Sequence, residues 1–345
     1  MAMTLVRRQF LALAGIAAAP LPRPACAQAY PARPVRVIVP VAAGGANDTT
    51  ARLFAQRLSE SLGQQFYVEN LPGAGGNLGI AAAARAPADG YTLLAGGGNF
   101  VINPSLFAKI PYDPVKDFTA VSLMCSSPHV LAVHPSVPAS TVKEFIALVK
   151  ARPGTLSYGS AGRGTPAHLA GEMFKLAFGL DIIHVPFTGG GPAITSTLGG
   201  HTPAIMSALP TGAPYIKAGN LRALAMMSGK RSSLLPDVPT MGEATGTELE
   251  ADIVTGIVAP TGTPREVVDV LHRAIANVIA PADFRERLAA LGFDPVASTP
   301  EQFSEWIKAE IAKWGKVIYR RAMRLAIGRA DRSPWRCRRP STASD

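Results

Sequence analysis

From Tyr30 to Ile318 the chain alternates short runs of β-branched residues with longer segments of helical period. That alternation is the tightest constraint on what it can fold into. Val35–Val41 reads as a buried strand and Asn47–Leu62 as a helix with Ala51, Phe54, Leu58 and Leu62 on one face. Further strands fall at Phe66–Glu69, Thr92–Leu94, Val130–Val133, Leu156–Gly159, His184–Phe187, Leu221–Met226 and Gly256–Ala259. Thr141 with Glu144 forms a capping box ahead of Phe145, Leu148 and Val149, and Thr263-Pro264-Arg265-Glu266 repeats the signal before Val267–Ile279. Thr299-Pro300-Glu301-Gln302 opens the last helix, whose Phe303, Trp306, Ile307, Ile311 and Trp314 make a core stripe. Strands alternating with helices predict an α/β fold of parallel-rich sheets flanked by helices, with ligands at the carboxyl ends of strands.

Three strand-to-helix junctions are rich in glycine and small polar residues. They are Pro40–Asp48, Tyr158–Pro166 and Phe187–Pro192. A helix start presents unpaired backbone N–H groups that suit an anion, and glycine lets a ligand come close. Any one of these loops also reads as an ordinary tight turn; three in one chain point to a binding cleft. Enzyme motifs fail on inspection. Gly73-Ala74-Gly75-Gly76-Asn77-Leu78-Gly79 has Leu78 where a dinucleotide fingerprint needs its third glycine. Tyr158 stands where a nucleophile elbow around Ser160 needs glycine. No Walker lysine follows a loop, and the six histidines are scattered without metal-ligand spacing. Neither a metal nor a cofactor is expected. Asp48 and His168, each in a first helical turn, read as a cap and a structural histidine as readily as ligand contacts.

The 345 residues suit two domains, and 48% hydrophobic residues suffice for a real core. Three cysteines make no disulfide framework. The net charge of +10 resembles a nucleic-acid binder until it is located. Residues 1–29 carry +3 and residues 319–345 carry +6, which leaves +1 on the body between them. A nucleic-acid partner is therefore not expected. Arg7-Arg8, an uncharged run to Pro22 and the small residues around Ala27 and Ala29 read as an export leader of the Sec or twin-arginine type. No other stretch is long and apolar enough to span a bilayer.

Tyr30-Pro31-Ala32-Arg33-Pro34-Val35-Arg36, then Val39–Gly45 with Asp48, resemble the opening of the tripartite tricarboxylate transporter substrate-binding proteins, also called Bug-type solute receptors. The similarity runs on through Val68–Asn77, Asp89–Leu94, Asn103–Phe107, Tyr158–Gly162, His184–Phe187, Ala218–Ala225, Leu235–Thr240 and Ala259–Pro264. What the resemblance implies is a periplasmic, monomeric, two-lobed binding protein of type II. It would close on a small organic carboxylate and hand it to a membrane permease, without catalysis. Lobe I would comprise residues 30–123 and 231–318, and lobe II residues 124–230, with 319–345 an atypical basic tail. By matching motif, Ala43, Gly44 and Asn47 would serve the ligand from the first lobe, and Ser160, Gly162 and Thr165 from the second; Asp48, at the first helix start, is a further candidate. Asn99 and Ser207 would line the remaining wall.

The chain departs from the family at Val41, where phenylalanine is common, and at Pro203 and Ser207, where aspartates are common. Without an acid at Ser207 an amine-bearing ligand loses its partner, so a plain mono- or dicarboxylate is expected. Two rivals stay open at this point: an exported hydrolase using Ser160 with a histidine, and a receptor that feeds a sensor protein.

Overall fold

The computed structural model describes residues 30–319; the leader and the basic tail read from the sequence lie outside the described residues. In chain order the elements are β1 (Val35–Val39), α1 (Ala46–Leu62), β2 (Phe66–Asn70), a 3-10 turn (Ala74–Gly76), α2 (Asn77–Ala84), β3 (Thr92–Gly96), α3 (Gly98–Leu106), β4 (Phe118–Ser127) and β5 (His129–Val133). Then come α4 (Val142–Ala151), β6 (Ser157–Ser160), α5 (Pro166–Phe178), β7 (Ile183–Pro186), α6 (Gly190–Leu198), β8 (Ala204–Ala208), α7 (Leu209–Lys217) and β9 (Arg222–Met227). The chain ends with α8 (Met241–Thr245), β10 (Ile253–Pro260), α9 (Arg265–Ile279), α10 (Ala282–Ala290), β11 (Asp294–Pro295) and α11 (Pro300–Tyr319).

The strands form two sheets and the molecule is two-lobed. A six-stranded sheet runs β11-β4-β10-β3-β1-β2, and a five-stranded sheet runs β7-β6-β8-β5-β9. The chain leaves the first sheet at Ser127, enters the second at His129, and returns between Met227 and Ile253. Both sheets are mixed rather than parallel throughout. β1 pairs in parallel with β2 and β3, and β6 with β7 and β8, while β10 runs antiparallel to β3 and β4, and β5 antiparallel to β8 and β9. The antiparallel members flank the two passages between sheets, the first of which, Ser127 to His129, has no crossover helix. Among the described residues no helix is long and apolar enough to cross a membrane.

Helix boundaries follow local chemistry, with one correction. Thr141 Oγ1 accepts the Glu144 N–H, and Thr299 and Gln302 exchange side-chain and backbone bonds as a full capping box. Thr263 does not cap α9: its hydroxyl donates to the Pro260 carbonyl at 2.7 Å, and Pro264 itself stands at the helix edge without a side-chain cap. Proline already removes one orphan N–H there. The stripe on α11 is core: Phe303, Ile307, Trp314 and Ile318 are buried in the cluster that also holds Ile38, Leu94 and Val258 of the first sheet.

Gly256 lies directly under Phe303, where a Cβ would collide with the aromatic ring. Gly256→Ala should therefore overpack this contact and lower the unfolding free energy by about 1–3 kcal/mol. Adding Phe303→Leu should recover part of that loss. Urea denaturation of the single and double variants checks this; strict additivity of the two losses would contradict it.

Candidate functional site

A cavity of about 520 Å³ lies where strands of both sheets give way to helices. Its wall includes the starts of five helices. Gly45, Ala46 and Asn47 come from α1, and Gly97, Gly98 and Asn99 from α3. Thr165 and Pro166 come from α5, Gly189 and Gly190 from α6, and Ala208 and Thr211 from α7. Each helix start carries roughly half a positive charge and orphan N–H donors. No lysine, arginine, aspartate or glutamate lines the cavity, and its one titratable wall residue is His129. The wall is thus uncharged in its side chains and donor-rich in its backbone. Closely packed glycines make this shape possible: a Cβ on Gly98 would strike the Pro166 ring across the cleft.

Of the residues singled out from the sequence, Ala43, Gly44, Asn47, Asn99, Thr165 and Ser207 lie on the wall. Asp48, Ser160 and Gly162 do not. Asp48 is 3% exposed and its carboxylate accepts from the Gly44 N–H at 2.9 Å, from Arg52 and from Asn70. Burial opposes its charge, but these hydrogen bonds outweigh burial and hold the carboxyl below its ordinary range. Asp48 therefore shapes the first loop and takes the Gly44 N–H that an anion would otherwise use. Ser160 is fully buried, with its hydroxyl 2.7 Å from His184 Nε2. That removes the hydrolase reading's nucleophile from the reach of any substrate in the cavity.

Several wall side chains are also committed to the fold. Thr165 Oγ1 donates to the Gly162 carbonyl at 2.7 Å and accepts the His168 N–H, as an N-cap does. Asn47 donates to the Ala95 carbonyl at 3.2 Å, Asn99 to the Gly75 carbonyl at 2.8 Å, and Ser207 to the Ala208 carbonyl at 3.0 Å. Short polar side chains in glycine-rich turns satisfy their own backbone first. The wall hydroxyls left without an internal partner belong to Thr188 and Thr211, which the sequence reading does not single out. Thr211 sits three residues into α7 and Thr188 in the third glycine-rich junction, but spacing alone does not show which hydroxyl a loop consumes.

His129 opens β5, buried, with Nδ1 against the Ala251 carbonyl of the returning passage. Burial pushes its pKa down to about 4, so the ring is neutral at pH 7.

The family model described as tripartite tricarboxylate transporter family receptor matches residues 50–323. Protein BugT of Bordetella pertussis is 39% identical over 311 residues, spanning 90% of this chain and 94% of BugT. Among solved structures, one described as a periplasmic transporter superposes with a TM-score of 0.81 at 41% identity, covering 85% of this chain and 99% of that one. R. palustris Rpa4515 with adipate gives 0.80 at 34% identity, covering 84% and 97%. MatC (Rpa3494) from Rhodopseudomonas palustris with bound malate gives 0.77 at 32%, covering 84% and 100%. The fold is that of the periplasmic binding proteins. The chain belongs to the tripartite tricarboxylate transporter family of receptors, the Bug proteins among them.

The buried imidazoles give this site an acid limit. His129 and His184 are lowered to about 4, both chiefly by burial, and His168 lies well below its ordinary 6.5, again chiefly by burial. Asp252, raised to about 6 by burial, works in the opposite sense. Below pH 6.5 the unfolded chain takes up protons that the folded imidazoles refuse, so stability is full above about pH 7 and falls towards pH 4. Each lowered ring costs up to about 1.4 kcal/mol per pH unit in that window, and the one raised carboxyl offsets about one ring. Urea unfolding at pH 7.5 and pH 5.0 should show a net loss at the lower pH; equal stability would contradict the neutral-imidazole assignment.

Proposed function

We propose that this protein is a periplasmic, non-catalytic receptor that encloses a small organic carboxylate between its two lobes and delivers it to a membrane permease of the tripartite tricarboxylate type. In this reading the lobes follow the expected division, residues 30–123 with 231–318 and residues 124–230, with the first boundary moved to the end of β4 at Ser127. The chain acts as a monomer, carries no cofactor or metal, and reaches the periplasm through its leader by the Sec or twin-arginine route. The observation that carries the reading is the meeting of five helix starts around one cavity without a charged side chain.

A carboxylate leaving water needs donors, and each N–H or O–H donated to it contributes about 1.5–3 kcal/mol. Backbone donors held rigid by glycine loops supply this without a counter-ion. An ammonium group needs acceptors or an acid; the wall holds neither aspartate nor glutamate, so burial of an amine stays uncompensated. The apolar wall residues, among them Val41, Ile205, Met206 and Val254, suit a hydrocarbon portion of the ligand. The relatives with adipate and malate support the same class. Thr188 and Thr211 are the side-chain donors we assign to the ligand, alongside the backbone at Ala43, Asn47 and Asn99, while Gly44, Asp48, Ser160, Gly162 and Thr165 shape the loops that present it.

A thermal-shift panel of adipate, malate, monocarboxylates, aliphatic diamines and sugars tests the class. Bound ligand raises the midpoint by mass action, so at least one carboxylate should stabilise the mature protein and no diamine or sugar should. Stabilisation by a sugar or a diamine alone would overturn the reading. Thr211→Val should then weaken the best carboxylate by about ten-fold, as one charge-assisted bond is worth, with the ligand-free midpoint unchanged. Titration calorimetry measures this, and undiminished affinity would remove Thr211 from the site.

A further inference from the structure

The wall formed by the Ser160–Thr165 loop is held from behind by two histidines that do not reach the cavity. His168 of α5 and His184 of β7 stack with ring centroids 4.1 Å apart. His168 Nδ1 accepts the Gly164 N–H at 3.1 Å. His184 Nε2 lies 2.7 Å from Ser160 Oγ, and Ser160 Oγ accepts the Gly162 N–H at 3.2 Å. The Gly162 carbonyl already receives the Thr165 hydroxyl at 2.7 Å and the Thr165 N–H. The Ser160 hydroxyl also lies 3.3 Å from that shared carbonyl, and the shorter 2.7 Å contact assigns its proton to His184. Both imidazoles are then acceptors, and each ends a chain of bonds that begins in the loop.

The loop needs such support. Gly162 and Gly164 sit at φ +135° and +75°, backbone regions that glycine enters freely and leaves as freely. Ala161 and Thr165, on either side of them, face the cavity. The charged and titratable neighbours of the pair are Arg163 in the loop, Glu172 and Lys175 on α5, and Tyr158 on β6. Glu172 is engaged by the Tyr158 hydroxyl at 2.9 Å and by Lys175 at 3.3 Å, and sits 3.9 Å from His168 Nε2. Nε2 therefore carries the His168 proton and faces a carboxylate, while Nδ1 is left free to accept from the loop.

We propose that His168 and His184 are positioning residues of the cleft: a stacked pair of neutral acceptors that fixes the Ser160–Thr165 loop in its ligand-receiving shape. The proposal rests on the receptor reading for its ligand effect and on geometry alone for its effect on the loop. His184→Phe keeps an aromatic ring between His168 and Tyr158 but leaves Ser160 only its long contact to the Gly162 carbonyl; His184→Gln restores a polar partner.

Amide hydrogen exchange at Gly162 and Gly164 in the ligand-free protein reads the loop directly, and adipate affinity by calorimetry reads the cleft. His184→Phe should speed exchange at Gly162 by about ten-fold and weaken adipate by a similar factor, the loss of about one buried hydrogen bond, with little change in thermal midpoint. His184→Gln should bring both back to within about three-fold of the original protein. Ser160→Ala cuts the same chain from its other end and should speed Gly162 exchange equally, which keeps the test available if His184→Phe does not fold. Unchanged exchange at Gly162 in both His184→Phe and Ser160→Ala, or failure of His184→Gln to restore it, would overturn the proposal. Absence of adipate binding to the original protein would count against adipate as a ligand, and exchange would still decide the role of the histidines.

Discussion

The structure depends on one directional constraint: the strands that precede the site release their chains towards the same gap. β1 and β3 of the first sheet, and β6, β7 and β8 of the second, are each followed by a helix whose start reaches the cavity. Because a helix carries its partial positive charge at that end, the topology alone assembles a field that favours an anion. No lysine or arginine is required on the wall, and none is present. The two passages between sheets, at Ser127–His129 and between Met227 and Ile253, bring the two sets of helix starts face to face. His129, bonded to the carbonyl of Ala251, ties one passage to the other at the floor of the cavity.

A site built this way divides labour between backbone and side chains. Asp48, Thr165 and Ser160 are polar residues in the loops, yet their hydrogen bonds end on Gly44, Gly162, His168 and His184 inside the fold. Asn103 and Tyr112 do the same for the 3-10 turn, meeting at the Asn77 side chain while Asn103 also donates to the Gly75 carbonyl. These bonds fix loops that glycine would otherwise leave mobile, and rigid donors bind an anion without a fresh ordering cost. In the proposed reading, side-chain identity at a few wall positions sets which carboxylate fits, while the backbone geometry selects the carboxylate class.

Much of this was legible in the sequence, for stateable reasons. The alternation of β-branched and amphipathic segments gives the α/β class, and the glycine junctions at Gly44, Gly162 and Gly189 mark three of the five helix starts. The helix starting at Gly98 is not legible, because Gly97, Gly98 and Asn99 interrupt the apolar pattern and Pro104 sits inside it. The strand Phe118–Ser127 is hard to delimit because its apolar residues run almost unbroken into Val130–Val133; only Pro128 marks the change of sheet. Ser160 and Thr165 read as ligand contacts because sequence places a hydroxyl beside a loop without showing which way its proton goes. Thr188 and Thr211 do not stand out in the sequence for the same reason in reverse.

The central claim is that the cleft recognises negative charge through neutral, oriented donors. Titration calorimetry of the best-stabilising carboxylate against its primary amide, equal in shape and lacking the charge, tests this most directly. Two carboxylate oxygens accepting charge-assisted bonds should bind tighter than the amide by about a hundredfold, or about 2.7 kcal/mol. An amide that binds as tightly as the acid, or tighter, would contradict the account.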